Sequence, residues 1–182
     1  MKSTRTTLAE KLGVSCHLSP LLRKVRAFAD GEDCAVWLVE MAVRRGCAHY
    51  QDCFPRPVPF RPASIEQMSN EEIGVALCLA HLDYNPQHIR VAAELLSAAA
   101  NDPFKIAHLA GQERCGPVVR YIAQCGAQAE PGNPFWQTLL AETRPAAPPR
   151  PGVLPHWTRF VSLSGLNRRL ESSCQWLRPK AA

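Results

Sequence analysis

Apolar side chains recur at intervals of three and four residues along most of the chain, which is the period of an amphipathic helix. Ser19-Pro20 is a favourable helix start, because a capping residue is followed by proline. It precedes an apolar stripe formed by Leu21, Leu22, Val25, Phe28 and Ala29. Residues 33–45 are apolar on almost every side, which predicts a central buried helix.

A second helical block covers residues 69–142. Ser69 and Glu72 have the spacing of a capping box, and three Asx-Pro pairs predict further helix starts at 85–86, 102–103 and 133–134. Short helices joined by tight turns make this block resemble HEAT-type helical repeats, in architecture only. We therefore predict an all-α fold, either an irregular multi-helix bundle or a short HEAT-like helical array with Pro-rich connectors.

Proline-rich stretches divide the chain. Residues 54–62 contain four prolines, a density that excludes a helix or a central strand. The predicted organisation is an N-terminal helical segment 1–53, a Pro-rich connector 54–68, a helical body 69–142, a Pro-rich linker 143–155 and a basic amphipathic C-terminal extension 156–182. The extension either docks on the body or binds another molecule.

Charge follows the same division. Residues 1–27 carry six basic side chains and one acidic side chain. Residues 28–142 carry eight basic and fourteen acidic side chains, and residues 143–182 carry seven basic side chains and one acidic side chain. An acidic body is thus flanked by basic ends, which either pair with the body or attract a polyanion.

No apolar run approaches the length of a membrane span, and the first residues do not have the pattern of a secretory signal. We therefore expect a cytoplasmic protein with mostly free thiols among its 8 cysteines.

The segment Thr6 to Ser15 resembles the first helix and turn of helix-turn-helix DNA-binding domains. Ala9 stands where that family has a small residue, Gly13 where the turn needs a positive φ, and Val14 where an apolar residue packs under the turn. The resemblance covers residues 5–26 and implies that the second helix reads a DNA groove. Pro20 departs from the pattern, because the recognition helix must then start late. The side chains implied in nucleic-acid binding are Arg23, Lys24 and Arg26, with Arg168 and Arg169 from the basic tail.

Cysteine and histidine residues offer two further kinds of site. Cys34, Cys47, His49 and Cys53 supply the ligand types of a zinc site, although paired Cys-x-x-Cys spacing is missing; buried thiols are the alternative. Cys78 and His81 share a helix face and are two further possible ligands. Cys47 with His49 or His81 is the first candidate for a nucleophile and base, but no catalytic motif accompanies them. The histidines His81, His88 and His108 either line one groove or lie on polar helix faces.

These observations favour a non-catalytic helical interaction module that binds a protein partner and needs no cofactor, with zinc as the one cofactor that the residues would allow. Phe135, Trp136 and Trp157 are the candidate partner anchors, because large aromatic side chains dominate many interfaces; a place in the core is their alternative. The second hypothesis is a DNA-binding regulator that uses the helix-turn-helix-like N-terminus and the basic tail.

Overall fold

The computed structural model describes residues 7–13, 19–49, 68–147, 149–164 and 173–180. The fold is all-α, as predicted, with one small sheet near the C-terminus of the described chain. The helices are α1 Leu8–Leu12, α2 Pro20–Ala29, α3 Cys34–Arg44, α4 Asn70–Ala76, α5 Pro86–Leu96, α6 Pro103–Gln112, α7 Gly116–Ala129 and α8 Pro134–Glu142. A short 3-10 helix, Trp157–Arg159, precedes strands β1 Val161–Ser164 and β2 Ser173–Trp176.

The predicted helix starts are confirmed by their caps. In each case a side-chain oxygen accepts a hydrogen bond from a backbone N–H two or three residues further on, which satisfies a donor that the helix cannot. The capping residues are Ser19, Asp33, Ser69, Asn85, Asp102 and Asn133. Ser69 and Glu72 form the complete capping box.

One hydrophobic core joins the N-terminal helices to the helical body. Val25 of α2, Leu38 of α3, Val75 of α4, Val91 of α5 and Ile122 of α7 have almost no exposed surface and belong to the same cluster of apolar side chains. The predicted burial of α3 holds for most of its residues, with Val36 as an exposed exception. Within the described part of the chain, no helix is both long and apolar enough to cross a membrane.

The C-terminal extension docks on the body, and part of it is a sheet. Strands β1 and β2 pair antiparallel, with Val161 opposite Trp176. Val161 and Trp176 are buried while their neighbours Ser162 and Gln175 are exposed; this alternation has the period of a strand rather than of a helix. Arg168 and Arg169 lie outside the described residues.

Trp176 carries most of this docking. Its ring centroid lies 4.8 Å from that of Trp136 and 5.4 Å from that of Phe160. Its indole Nε1–H donates to the carbonyl oxygen of Ala93 in α5 at 3.3 Å. The indole therefore fills a place in the core and also satisfies its polar atom there.

Candidate functional site

Two helices begin beside one another and enclose an open groove of about 450 Å³. One wall is the start of α3, and the other is the turn before α5 together with the first residues of α5. We call this site the acidic groove and define it by Asp33, Ala35, Val36, Asp83, Tyr84, Asn85, Pro86 and His88. Its volume lies within the roughly 300–1,000 Å³ that is usual for sites receiving small ligands.

The two walls are tied together at their far ends. The side chain of Glu94, near the end of α5, has no exposed surface. It accepts hydrogen bonds from the backbone N–H groups of Ala48, at 2.6 Å, and His49, at 3.3 Å. The His49 ring Nδ1 lies 2.6 Å from the Glu94 Oε2 atom. Since Ala48 and His49 follow α3, helices α3 and α5 run in the same direction and their N-termini both face the groove.

The turn before α5 is held from the other side by the N-terminal residues. The backbone N–H of Leu8 donates to the carbonyl oxygen of Leu82 at 3.0 Å, and Thr7 forms an isolated antiparallel bridge with Asp83. The Tyr84 hydroxyl donates to the carbonyl oxygen of Val153. These contacts fix the backbone that presents Asp83 and Tyr84 to the groove.

The groove combines apolar surface with carboxylates. Val36 is 52% exposed and lines the groove with an apolar side chain. Asp33 lies on the same wall, where its Oδ1 caps α3 by accepting from the N–H groups of Ala35 and Val36. Asp83 lies on the opposite wall. The groove therefore places an exposed apolar side chain beside two carboxylates.

His88 lies between these carboxylates. Burial lowers the pKa of its imidazole, and the charges of Asp33 and Asp83 offset only part of that shift; His88 is therefore neutral at pH 7. Its Nδ1 atom is buried and has no hydrogen-bond partner among the described residues. Most buried polar side-chain atoms have a hydrogen-bond partner, so this ring nitrogen is an exception that calls for an explanation.

A second cleft of about 450 Å³ lies where α6 ends, α7 begins and α8 ends. Its charged and titratable lining residues are His108, Arg114, Glu142 and Arg144; we call it the basic cleft. His88 and His108 line different clefts, so the alternative in which the histidines line one groove does not hold for this pair.

The residues predicted to bind DNA are only partly available. Arg23 and Arg26 are exposed on α2. Lys24 is half-buried, and its ammonium group contacts the Glu72 carboxylate at 2.7 Å. Gly13 has φ +68°, which is the turn conformation that the resemblance implies.

The predicted zinc ligands are not assembled in the described residues, where no group of three or more His, Cys, Asp or Glu side chains is placed to hold a metal. Cys47 is fully buried, Cys34 is half-buried, and the His49 ring already contacts Glu94. Cys53 lies outside the described residues. Cys78, the other predicted thiol ligand, is also fully buried.

The candidate nucleophile has the wrong surroundings for that role. Burial raises the pKa of the Cys47 thiol well above its usual range, and the neighbouring charge of Glu94 raises it further. A thiol with no exposed surface and a raised pKa has little thiolate at pH 7. The structure therefore gives Cys47 the part of a small hydrophobic side chain.

The aromatic residues predicted as partner anchors belong mostly to the core. Trp136 has no exposed surface, so it offers no contact to a partner in this fold. Its indole Nε1–H donates to Glu130 at 3.0 Å. Phe135 packs edge-on against Trp136 and is half-buried, and Trp157 is half-buried beside His156.

Sequence reasoning missed the acidic groove. The sequence assigns Asn85 only to a helix start and Asp33 only to the first position of the apolar stretch 33–45, although both line the groove. Asp83 and His88 flank the same Asn85-Pro86 pair, which was the available local signal. Nothing in the sequence pairs the start of α3 with the start of α5, because that pairing depends on how the helices pack.

Comparison of this chain with protein-family models, with curated proteins and with solved structures finds no match. Function must therefore be inferred from the site itself.

Proposed function

We propose that the protein is a non-catalytic, cytoplasmic helical module that binds a protein partner, and that the acidic groove is the surface that contacts this partner. The observation that carries the proposal is the exposed Val36 side chain within an open groove that also holds the Asp33 and Asp83 carboxylates. Hydrophobic contact surrounded by polar groups is the usual composition of a small recognition site.

The distribution of exposed apolar side chains supports this assignment. Among the described residues, the exposed large hydrophobic side chains are Val36, at 52%, and Phe104, at 57%. Single exposed apolar residues are normal on protein surfaces. Val36 differs from Phe104 because it lines a concave site with charged groups on both walls, whereas Phe104 lines neither of the two large clefts described above.

Selection of peptides from a random-sequence phage library, with the full-length chain as bait, tests the proposal. Val36→Ala is the site variant and Phe104→Ala is its matched control, since both shorten an exposed apolar side chain on a helix. Alanine has a higher helix propensity than valine or phenylalanine, so neither change weakens its helix.

We expect enriched peptides whose affinity falls about fivefold or more with Val36→Ala, which corresponds to the loss of a small hydrophobic contact. Phe104→Ala should leave their affinity unchanged. The proposal would be overturned if no peptides were enriched, or if the enriched peptides bound Val36→Ala with unchanged affinity.

A second candidate function is DNA binding through α2. The observation in its favour is that α2 buries Leu21, Leu22 and Val25 while Arg23 and Arg26 point to solvent. Two arginines on the open face of a helix suit phosphate contacts. The positive φ of Gly13 is compatible with a tight turn ahead of such a helix.

Fluorescence anisotropy with a labelled duplex DNA tests this second candidate at about 50 and 200 mM salt, a range over which phosphate-driven binding weakens by orders of magnitude. The double substitution Arg23→Ala and Arg26→Ala should weaken binding and lower the salt slope by about two units, one for each phosphate contact. Arg159→Ala, which removes one exposed arginine elsewhere, should change neither. Absence of binding at the lower salt contradicts the DNA hypothesis.

A further inference from the structure

We infer that the body carries a binding surface for a Pro-rich segment of a partner, and that the linker of this chain occupies the surface as an internal ligand. The surface is formed around Tyr84 and Tyr121, and we call it the tyrosine site. The segment that fits it has an apolar residue followed by proline, as Leu154-Pro155 shows. The inference goes beyond the proposed function, because it concerns a second surface, which meets the acidic groove at Tyr84.

The pattern of burial along the Pro-rich linker is the first argument. Leu154 is 8% exposed and belongs to the hydrophobic core cluster, and Pro155 is buried beside it. Residues 150–152 before this pair and His156 after it are exposed. The body therefore holds the segment by a two-residue plug, Leu154-Pro155, in the way that an interface holds a peptide by a few anchor residues.

The hydrogen bonds on both sides of the plug are the second argument. The Tyr84 hydroxyl donates to the carbonyl oxygen of Val153 at 2.5 Å, and the Tyr121 hydroxyl donates to that of Pro155 at 2.9 Å. Because proline has no N–H, a Pro-rich segment makes few hydrogen bonds of its own, and its carbonyl oxygens need donors from elsewhere. Aromatic-lined surfaces are a recurring receptor for such segments.

Tyr121 is a dependable donor at this surface. Burial raises the pKa of its phenol to about 12, so the hydroxyl keeps its proton at physiological pH. Both tyrosine hydrogen bonds end on backbone carbonyl oxygens, which every peptide offers. Selectivity therefore comes from the place that receives Leu154 and Pro155, which an apolar residue followed by proline can fill.

The linker can also leave the tyrosine site while the chain on either side stays in place, which is the third argument. Thr143, before the linker, is buried and its hydroxyl donates to a carbonyl oxygen of α8. Phe160, after the linker, is buried and stacks on Trp176 with ring centroids 5.4 Å apart. Detachment of residues 150–156 breaks the two tyrosine hydrogen bonds and exposes the plug, which is a local opening rather than unfolding of the body.

Tethering determines how tightly a partner segment binds. A segment that is joined to the body competes for its own site at an effective concentration on the order of millimolar. A free peptide of the same sequence therefore binds the wild-type chain weakly. Any change that weakens the internal ligand raises the apparent affinity of the free peptide, because the site is then open for a larger fraction of the time.

Titration of the full chain with a peptide of residues 150–157, N-acetylated and C-amidated, tests the inference by NMR. The control peptide has serine in place of its leucine. We expect the Leu154 methyl signals of the protein to move to the positions of an exposed leucine as the first peptide displaces the linker, and to stay in place with the control peptide. If the Leu154 signals stay in place with the first peptide at about 5 mM, above the effective concentration of the tether, the inference is overturned.

Substitutions in the chain give a second, independent measurement with the same peptide. Leu154→Ala weakens the internal ligand and leaves both tyrosines in place, so this variant should bind the peptide at least about tenfold more tightly than the wild type. Adding Tyr121→Phe to Leu154→Ala should lower that affinity about fivefold, through the loss of one hydrogen bond. Leu109→Ala, which shortens a partly buried leucine in α6, should bind the peptide like the wild type.

The outcomes separate a binding surface from a linker that only completes the fold. Equal peptide affinity of the wild type and Leu154→Ala, with circular dichroism showing both folded, overturns the inference. An equal gain in affinity with Leu109→Ala also overturns it, because the peptide would then bind surface exposed by general loosening. Each of these results leaves the proposal for the acidic groove standing, since that proposal is tested through Val36.

Discussion

The acidic groove and the basic cleft have the same volume, about 450 Å³, but differ in the charged side chains that line them. The basic cleft is lined by charges of both signs, from Arg114, Arg144 and Glu142. In the acidic groove, both charged lining residues, Asp33 and Asp83, are negative. Volume alone therefore does not distinguish a recognition site from an ordinary gap between helix ends.

Polar side chains complete helix ends at both clefts, as Asp33 and Asn85 do at the starts of α3 and α5. At the basic cleft, the Thr143 hydroxyl donates to the Leu139 carbonyl oxygen at 2.8 Å. Arg120, which does not line this cleft, donates to the carbonyl oxygens of Leu140 and Thr143, both at 2.7 Å. These bonds complete the end of α8. The buried Nδ1 of His88 in the acidic groove has no such structural task among the described residues. This difference is one reason why we propose the acidic groove, rather than the basic cleft, as the recognition site.

The largest expected effect concerns the buried carboxylates that support each cleft. Glu94 accepts three hydrogen bonds at the ends of α3 and α5 that lie away from the acidic groove. Glu113, next to the basic cleft in the chain, accepts one from the backbone N–H of Leu21, at 2.9 Å, and one from the Ser19 hydroxyl. Glu94→Ala leaves buried donors without acceptors and should lower the free energy of unfolding by about 3–4 kcal/mol. Glu113→Ala should lower the free energy of unfolding by about 2 kcal/mol, since it leaves fewer buried donors without an acceptor.

Urea unfolding measures both losses, and binding of the peptides selected from the phage library separates their sites. Glu94→Ala should weaken peptide binding, because α3 and α5, whose starts form the groove, are no longer joined at their other ends. Glu113→Ala should leave binding unchanged. Equal losses of stability, or equal effects on binding, would mean that the two carboxylates support one continuous unit rather than two separate clefts.

Helix starts were predictable because they are local. Asn85-Pro86, for example, combines a side-chain cap with a residue whose ring fixes the first helical φ, and the structure begins α5 there. The strands were not predictable in the same way, because the burial of Trp176 depends on its contact with Trp136, which is distant in the sequence. The acidic groove is likewise a product of packing, because Asp33 and Asp83 approach one another only when α3 and α5 align.

A smaller loss of stability is expected where the C-terminal strand is fastened, away from both clefts. Burial alone would raise the pKa of Glu130, but hydrogen bonds from Arg178, Asn133 and Trp136 outweigh it and lower that pKa to about 2. Arg178 Nη1 donates to Glu130 Oε1 at 2.7 Å. Arg178→Ala should cost about 1 kcal/mol at pH 7, a modest value because one third of the Arg178 side chain is exposed to solvent.

The acid limb of the stability curve checks the sign of this effect. Because the pKa of Glu130 is lowered from 4.5 to about 2 in the fold, ionised Glu130 stabilises the fold above pH 4.5, and this contribution is lost as the pH falls toward about 2. In Arg178→Ala, the free energy of unfolding should fall less steeply between these two pH values. Arg159→Ala serves as the charge-matched control. An unchanged acid limb in Arg178→Ala would show that Arg178 does not hold Glu130 ionised.

A small gain in stability is expected in the basic cleft. Arg114 has φ +55°, a left-handed conformation that costs most side chains about 1 kcal/mol. Arg114→Gly should therefore raise the free energy of unfolding by about 0.5–1 kcal/mol. Asp30, with φ +48°, is the matched control; Asp30→Gly should gain less, because aspartate tolerates this region better. A loss with Arg114→Gly, seen in thermal unfolding, would mean that the arginine side chain itself stabilises the cleft.

The smallest effect is on proton binding in the acidic groove. Burial lowers the pKa of His88, while Asp33 and Asp83 each raise it, so Asp83→Asn should lower that pKa further. Titration of the His88 ring by NMR measures this shift, and Glu142→Gln in the basic cleft should not cause it. If the His88 pKa were unchanged in Asp83→Asn but shifted in Glu142→Gln, the charge around His88 would not come from the groove walls. The contrast between the two clefts would then have no electrostatic basis.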